Sequence, residues 1–428
     1  MLKAIQAMYK CTKNILKSAV ISANIGVRQG SPSSCLLFVI YIDEMVRMIK
    51  NAVSEDGFLG GLHALLLMDD TVIVATSRVN CEAKLKAAID YCNEYWMGIN
   101  VKKTKFFVIN GTRFDKNPLV VEGTKISYSP NYLYLGAWFT DSGKISDVLA
   151  LTEKSNQATV NKFAIFCVAN SQMPFVYKKL VFDAAVTASL LYSSESWLTN
   201  NIKAIESQYN QLVRCLLGVR KNTSMNLCLL ESGIPPIQHV LSKKRCKFIQ
   251  SKFETNDPEH PFTVVLKLLS DNNIPVYHNI LKFSQYNINV NPFFYIKNTI
   301  NERAPNATKF NTYISDLNPS LDIHPVYTTN VFIPDYQRIS LSRIRLMSHN
   351  LKIETGRWSR ISRERRVCQC DGSQLQTEAH VLIDCPLTDS IRHRYPELNF
   401  SNINILLTEV NHLKLLCKYA NEILEFFG

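Results

Sequence analysis

The chain has 428 residues, 46% of them hydrophobic, which is enough for more than one buried core and excludes a disordered chain. Its net charge of +12 favours a polyanionic partner such as nucleic acid, a balance that ribosomal and membrane-surface proteins share. No apolar run reaches the roughly 18 residues that cross a bilayer, and twelve cysteines without the spacing of a disulfide scaffold favour a reducing intracellular compartment, cytoplasm or nucleus.

The opening residues are basic, amphipathic and free of acids up to Ile25, as in a mitochondrial presequence. The spacing of Leu2, Ile5, Met8, Ile15 and Leu16 predicts instead a helix that leads into the next motif, so the chain reads as cut rather than begun. From Ile25 to Ile42 a polar glycine turn launches an apolar helix. Gly30 permits a close backbone approach to a ligand, and Ser31, Ser33 and Ser34 can cap the helix. Arg28 and Gln29 would lie beside an anion at that terminus. An ordinary capped helix fits the same residues equally well.

Two apolar runs of strand length, Leu65–Leu67 and Val72–Ala75, flank Met68, Asp69 and Asp70. This pattern predicts a β-hairpin whose tight turn carries both aspartates. Adjacent like charges need full solvation or a cation, and magnesium, a hard ion that takes carboxylate oxygens, is the natural one. A helix is expected from Asn80 to Met97, then a helix end passing into a strand over Gly98–Val108, and a short strand over Tyr132–Phe139. The stretch 146–252 has helical spacing, notably Lys178–Leu191 and Ile202–Leu217, the latter closed by Gly218. Lys243, Lys244, Arg245 and Lys247 are candidates for phosphate contact or for a solvated helix face. Residues 254–338 are punctuated by Asn, Pro and Asp and read as a peripheral helical or linker region.

Arginines return after Ile339, including Arg357, Arg360, Arg363, Arg365 and Arg366, and lead to Cys368-Gln369-Cys370. With His380 and Cys385 these cysteines form a C-x-C-x9-H-x4-C set, compatible with tetrahedral zinc although its first gap is tight. Unpaired structural cysteines near a histidine are the alternative. A small zinc element beside arginines suits phosphate-backbone binding. His349 and His393 fall outside the set.

The order of these pieces resembles the palm of reverse transcriptases, most closely those of non-LTR retrotransposons of the LINE and jockey kind. Arg28-Gln29-Gly30-Ser31-Pro32 with Leu36-Leu37-Phe38 is similar to the nucleotide- and template-positioning motif, and Leu67-Met68-Asp69-Asp70 to the catalytic turn. Asn100–Lys105 is similar to the following Lys-Thr segment and Tyr134-Leu135-Gly136 to the primer-grip strand. Leu191-Tyr192-Ser193-Ser194-Glu195-Ser196-Trp197 resembles a thumb motif that usually has glycine after tyrosine, and the Cys/His set resembles the family's C-terminal CCHC zinc element.

The resemblance implies an α+β fold: an incomplete palm of hairpin sheet and helices over 1–145, a helical thumb and extension over 146–252, a peripheral region over 253–338, and an arginine-rich zinc-binding tail over 339–428. It implies RNA-directed DNA synthesis on an RNA template from a DNA primer or target, with dNTP as substrate and no membrane. Asp69 would bind Mg2+, Asp70 would support it and Lys103 would neutralise or protonate the pyrophosphate. Arg28, Gln29, Gly30 and Ser31 would face nucleotide or template, and Leu135 and Gly136 the primer. Zn2+ would sit on Cys368, Cys370, His380 and Cys385.

One departure carries most weight. The family's first catalytic aspartate precedes the glycine motif, where this chain has no acid, and Asp43 belongs to the helix after it. Two-metal transfer needs a carboxylate partner for Asp69. The expectation is therefore a truncated polymerase with little or no activity of its own, or alternatively a non-catalytic RNA- or DNA-binding protein derived from a retroelement.

Overall fold

The computed structural model describes the backbone of residues 12–16 and 19–23, and residues 26–27, 31–56, 62–254, 257–258 and 260–428 in full. Thr12–Leu16 (β1) and Ala19–Ala23 (β2) pair as an antiparallel hairpin with Thr12 opposite Ala23. Ile15 and Leu16 thus lie in a strand rather than in the expected leading helix, in keeping with the β-branched residues Ile15, Val20 and Ile21. Leu2, Ile5 and Met8 lie outside the described residues. Pro32–Asn51 (α1) starts on Ser31, which makes no side-chain cap. Proline at the first helical position removes one of the four N–H groups that have no partner within the helix.

The chain divides into two compact units. The first takes residues up to Tyr132, with Phe139–Gly143 and Thr255–Ile274. Its elements after α1 include Ala64–Leu67 (β3), Asp70–Ile73 (β4), Arg78–Glu94 (α2), Lys105–Phe106 (β5), Leu119–Val121 (β6) and Thr124–Tyr128 (β7). β7 is the middle of a three-stranded sheet, parallel to β5 and antiparallel to β6. Ser77 caps α2 by accepting from the Asn80 N–H. This helix is apolar on two sides. Leu85 and Ile89 pack on Phe106, Leu119, Val121 and Ile126, while Ala88 and Tyr91 pack on Met45 and Ile49 of α1. Ile73 of β4 touches both clusters, so the strand that begins at Asp70 is anchored through its last residue.

A buried ion pair fixes the foot of the same hairpin. Lys84 of α2 donates to Asp56 Oδ2 (2.7 Å) and to the Val74 carbonyl (2.7 Å), Asp56 accepts from the Thr76 N–H (3.1 Å), and the Val74 N–H donates to the His63 carbonyl (2.9 Å). Burial works to raise the Asp56 carboxyl, but the bonds from Lys84 and Thr76 outweigh it and hold the group down at about 2.

Asn131–Tyr134 (β8) and Ala137–Thr140 (β9) form a two-stranded hairpin whose central residues, Leu133–Trp138, belong to the second unit. That unit continues with Ile145–Ala169 (α3), Phe175–Val181 (α4, prolonged by a π-helical stretch Phe182–Thr187), Lys203–Leu217 (α5), Met225–Ser232 (α6) and Ile237–Phe253 (α7). After Pro275–Ser284 (α8) and Phe294–Arg303 (α9) come Asp335–Arg345 (α10), Lys352–Trp358 (α11) and Leu413–Phe427 (α12). One apolar core joins Val160 and Phe163 of α3, Leu212 and Val213 of α5, Ile344 of α10 and Leu416 of α12. Each such side chain contributes about 1.5–3 kcal/mol on burial. Ile300, Tyr313, Leu317 and Tyr327 lie in the same core, so the stretch expected to be peripheral supplies structural side chains.

Polar groups lock this core as well. Arg338 donates to the Leu216 and Leu217 carbonyls (3.0 Å each), satisfying the C-terminal end of α5, and pairs with Asp335, which also holds Lys178 (2.6 Å). Glu231 of α6 binds Arg345 and accepts from Tyr313 OH (2.6 Å) and Asn318 Nδ2 (3.3 Å). Among the described residues no helix is long and apolar enough to cross a membrane.

Candidate nucleic-acid and metal sites

The acidic hairpin is tighter than its sequence suggests. Leu67 stands opposite Asp70 in the antiparallel register, so the turn is Met68 and Asp69, and Asp70 is the first residue of β4 rather than a turn residue. Met68 takes a φ of 55°, a left-handed conformation that costs a side-chain-bearing residue about 1–2 kcal/mol. Both aspartates are exposed. Among the described residues, the one group of three or more candidate metal ligands is the Cys/His set of the tail, so no third acid joins Asp69 and Asp70. Asp43 is exposed on α1 and pairs with Arg47 (2.8 Å). Asp69 and Asp70 by themselves do not make the donor set of a two-metal site.

The neighbouring sequence-derived residues are placed as follows. Lys103 is exposed in the turn after Asn100, its N–H donating to the Asn100 carbonyl (3.1 Å). Ser31 is half-buried, with its Oγ 3.0 Å from Ser33 Oγ. Arg28, Gln29 and Gly30 lie outside the described residues.

Leu135 and Gly136 form the exposed tip between β8 and β9, with φ of 49° and 80°. Tyr192 holds this tip. Its hydroxyl donates to the Leu135 carbonyl (2.7 Å), and its ring fills the space a Cβ on Gly136 would need, 2.7 Å from such an atom. Trp138 donates to Ser155 Oγ of α3 (2.9 Å). The sequence singled out Tyr192 within a motif but not its support of this turn, because the two residues it touches lie 57 and 56 positions away. Gly136→Ala is expected to lower the stability of the second unit by about 1–3 kcal/mol in denaturant melts. In a Tyr192→Ala background the same change should cost visibly less, since the clash is gone. Equal costs in the two backgrounds would refute the contact.

The four tail ligands do converge. Cys368, Cys370, His380 and Cys385 place one donor atom each within 4.8 Å of all the others. Cys368 Sγ and Cys385 Sγ are 3.7 Å apart, too far for a disulfide. Two ligands of a tetrahedral zinc at about 2.3 Å stand about 3.8 Å from each other, so the spacing fits. Cys370 Sγ lies 3.3 Å from His380 Nε2, and the buried His380 Nδ1 has no partner. The cluster is shaped by a small hairpin: Val367 bridges Leu375, and the Cys368 N–H donates to the Gln374 carbonyl (2.7 Å). His349, outside the ligand set, pairs in a buried position with Glu378 (2.8 Å), two residues before His380. Burial acts to raise the Cys368 thiol, yet hydrogen bonds from Cys370 and Cys385 hold it below its ordinary value. A metal bound here would be held by three thiolates and Nε2 and would be structural, since all four positions are taken by protein.

The arginine run splits by use. Arg366 spends its guanidinium on the Ile353 and Ile361 carbonyls, and Arg357 pairs with Glu354 (2.8 Å). Arg360, Arg363 and Arg365 are exposed. In the earlier basic cluster Arg245 is buried, donating to the Ser194 and Trp197 carbonyls, and Lys244 pairs with Glu195 (3.2 Å).

No curated protein matches the chain. Residues 2–139 match the family model described as reverse transcriptase (RNA-dependent DNA polymerase). That span begins before the glycine motif and ends within β9, so it contains the Met68-Asp69 turn and the Leu135-Gly136 tip. The N-terminal third of this chain is therefore similar to the reverse transcriptase family.

Proposed function

We propose that the chain is part of a reverse transcriptase of a non-LTR, LINE- or jockey-like retrotransposon, that it binds an RNA template with a DNA primer or target, and that by itself it makes little or no DNA. The observation that carries this reading is the match of residues 2–139 combined with Asp69 at the tip of a two-residue hairpin turn. In the proposed arrangement Asp69 and Asp70 are the chain's share of the magnesium ligands and Lys103 faces the pyrophosphate of a dNTP. Arg28, Gln29, Gly30 and Ser31 line the nucleotide, while Leu135 and Gly136 meet the primer. The boundaries 1–145, 146–252, 253–338 and 339–428 are proposed as palm, thumb with extension, connecting region and tail. Zinc on Cys368, Cys370, His380 and Cys385 would hold the tail together, and the exposed Arg360, Arg363 and Arg365 would meet phosphates. An intracellular, reducing setting suits free thiols of this kind.

A second reading, a retroelement-derived RNA- or DNA-binding protein without catalysis, is favoured by the converged Cys/His set beside exposed arginines in a chain whose described acids do not complete the hairpin site. Both readings require nucleic-acid binding. Fluorescence anisotropy with a labelled RNA–DNA template–primer should show affinity that falls steeply with salt, and that drops at least about tenfold after zinc is chelated. No binding at low salt would overturn both.

A further inference from the structure

The C-terminal end of α5 and the end of α11 bring Arg220, Arg343 and Trp358 together. After Gly218 (φ 68°) the chain turns, and the Arg220 N–H donates to Ser348 Oγ (2.9 Å). The Arg220 guanidinium then bonds the Asn350 side-chain oxygen and lies 3.8 Å from the ring centre of Trp358. Arg343 of α10 reaches the same turn, donating from Nε to the Gly218 carbonyl (2.8 Å). Trp358, the last residue of α11, is 49% exposed even with Arg220 against it, and Arg343 is exposed.

The charges here are arranged unlike those of Arg338 and Arg345 in the core of this unit. Arg338 and Arg345 are each neutralised by a carboxylate, Asp335 and Glu231. Among the described residues neither Arg220 nor Arg343 has a carboxylate within ion-pair distance. Burial first, and then the charge of Arg343, hold the Arg220 guanidinium below its ordinary value against a smaller opposing pull from Glu354, which is itself paired with Arg357. Two guanidinium forks without a counter-ion form a receptor for an anion, and arginine suits phosphate oxygens best. A tryptophan fixed by a cation on its ring and otherwise open is a stacking platform for an unpaired base.

We propose that Trp358, Arg220 and Arg343 form a nucleotide subsite for single-stranded nucleic acid, in which a base stacks on Trp358 and the two arginines hold the adjoining phosphate. The subsite rests on the nucleic-acid-binding reading given above and names one place where that binding occurs. A duplex keeps its bases stacked on each other, so it gains nothing from the indole.

The test uses the full, zinc-loaded chain and a fluorescein-labelled oligothymidylate of about 12 nucleotides, with a blunt duplex of the same length alongside. Trp358→Ala is expected to weaken binding of the single strand between about fivefold and a hundredfold. Trp358→Phe should stay within about threefold of wild type, because the ring is retained. Arg343→Gln, an exposed change that leaves the core intact, should lower the slope of log K against log salt by about 0.7, as should Arg220→Gln. Duplex affinity and the thermal midpoint should be unchanged in Trp358→Ala, which a merely structural role would not allow. If the wild type binds and all four variants match it, the subsite is refuted and the general reading stands. If the wild type binds neither probe at low salt, both fall.

Discussion

Glu231→Ala is expected to lower the stability of the helical unit by about 3–5 kcal/mol, enough to unfold much of it at ordinary temperature. Glu231 is fully buried and is the hub of a network, and among the described residues it is the carboxylate that pairs with Arg345. It neutralises Arg345, accepts from Tyr313 and Asn318, and its own backbone carbonyl accepts from the His324 N–H (3.1 Å). Arg345 is 1% exposed and also donates to the Leu407 carbonyl (2.9 Å). Removing the carboxylate strands a cation in a medium of low dielectric, and that penalty, more than the lost attraction, dominates the effect. Glu231→Gln keeps the shape and should still cost most of the loss. The double change Glu231→Leu with Arg345→Met should be milder than either single one, because no charge is left unpaired. Denaturant melts of the three variants check this, and single variants within about 0.5 kcal/mol of wild type would refute the network's role.

The second large effect concerns the tail. The purified chain is expected to carry one zinc per molecule and to lose the fold of the tail on chelation, since binding free energy at such sites is folding free energy of about 10 kcal/mol or more in small zinc modules. Cys385→Ser should remove stoichiometric zinc, because Cys385 is buried and is one of the four donors that converge on the site, 3.7 Å from Cys368. Substitution by cobalt should give the absorption of a tetrahedral thiolate site in wild type and not in the variant. Metal analysis that finds zinc retained in Cys385→Ser, or none in wild type, would refute the site.

What could be read from the sequence was local. The Asp69 hairpin is announced by two apolar runs around a polar pair, the Cys/His cluster by its spacing, and the end of α5 by Gly218, whose φ of 68° a glycine adopts freely. The register of the hairpin was not legible to one residue, since strand pairing rather than composition decides that Asp70 is in β4. Long-range partners were hidden altogether. Asn318 lies 87 positions from Glu231, and the Asn- and Pro-rich composition around it reads as linker although it closes a buried network. Nor could the arginine run show that Arg366 is tied to carbonyls of its own unit while Arg220, far upstream, stacks on Trp358.

Asp69 and Asp70 are proposed to form an incomplete metal site within residues 2–139, the segment similar to reverse transcriptases. Primer extension tests it: the purified chain, magnesium, dNTP and a primed RNA template, beside an Asp69→Asn control. The expected result is no elongated primer with either protein, although both bind the template–primer. Elongation by the wild type that disappears in Asp69→Asn would contradict the account, because it would mean that a further carboxylate completes the site.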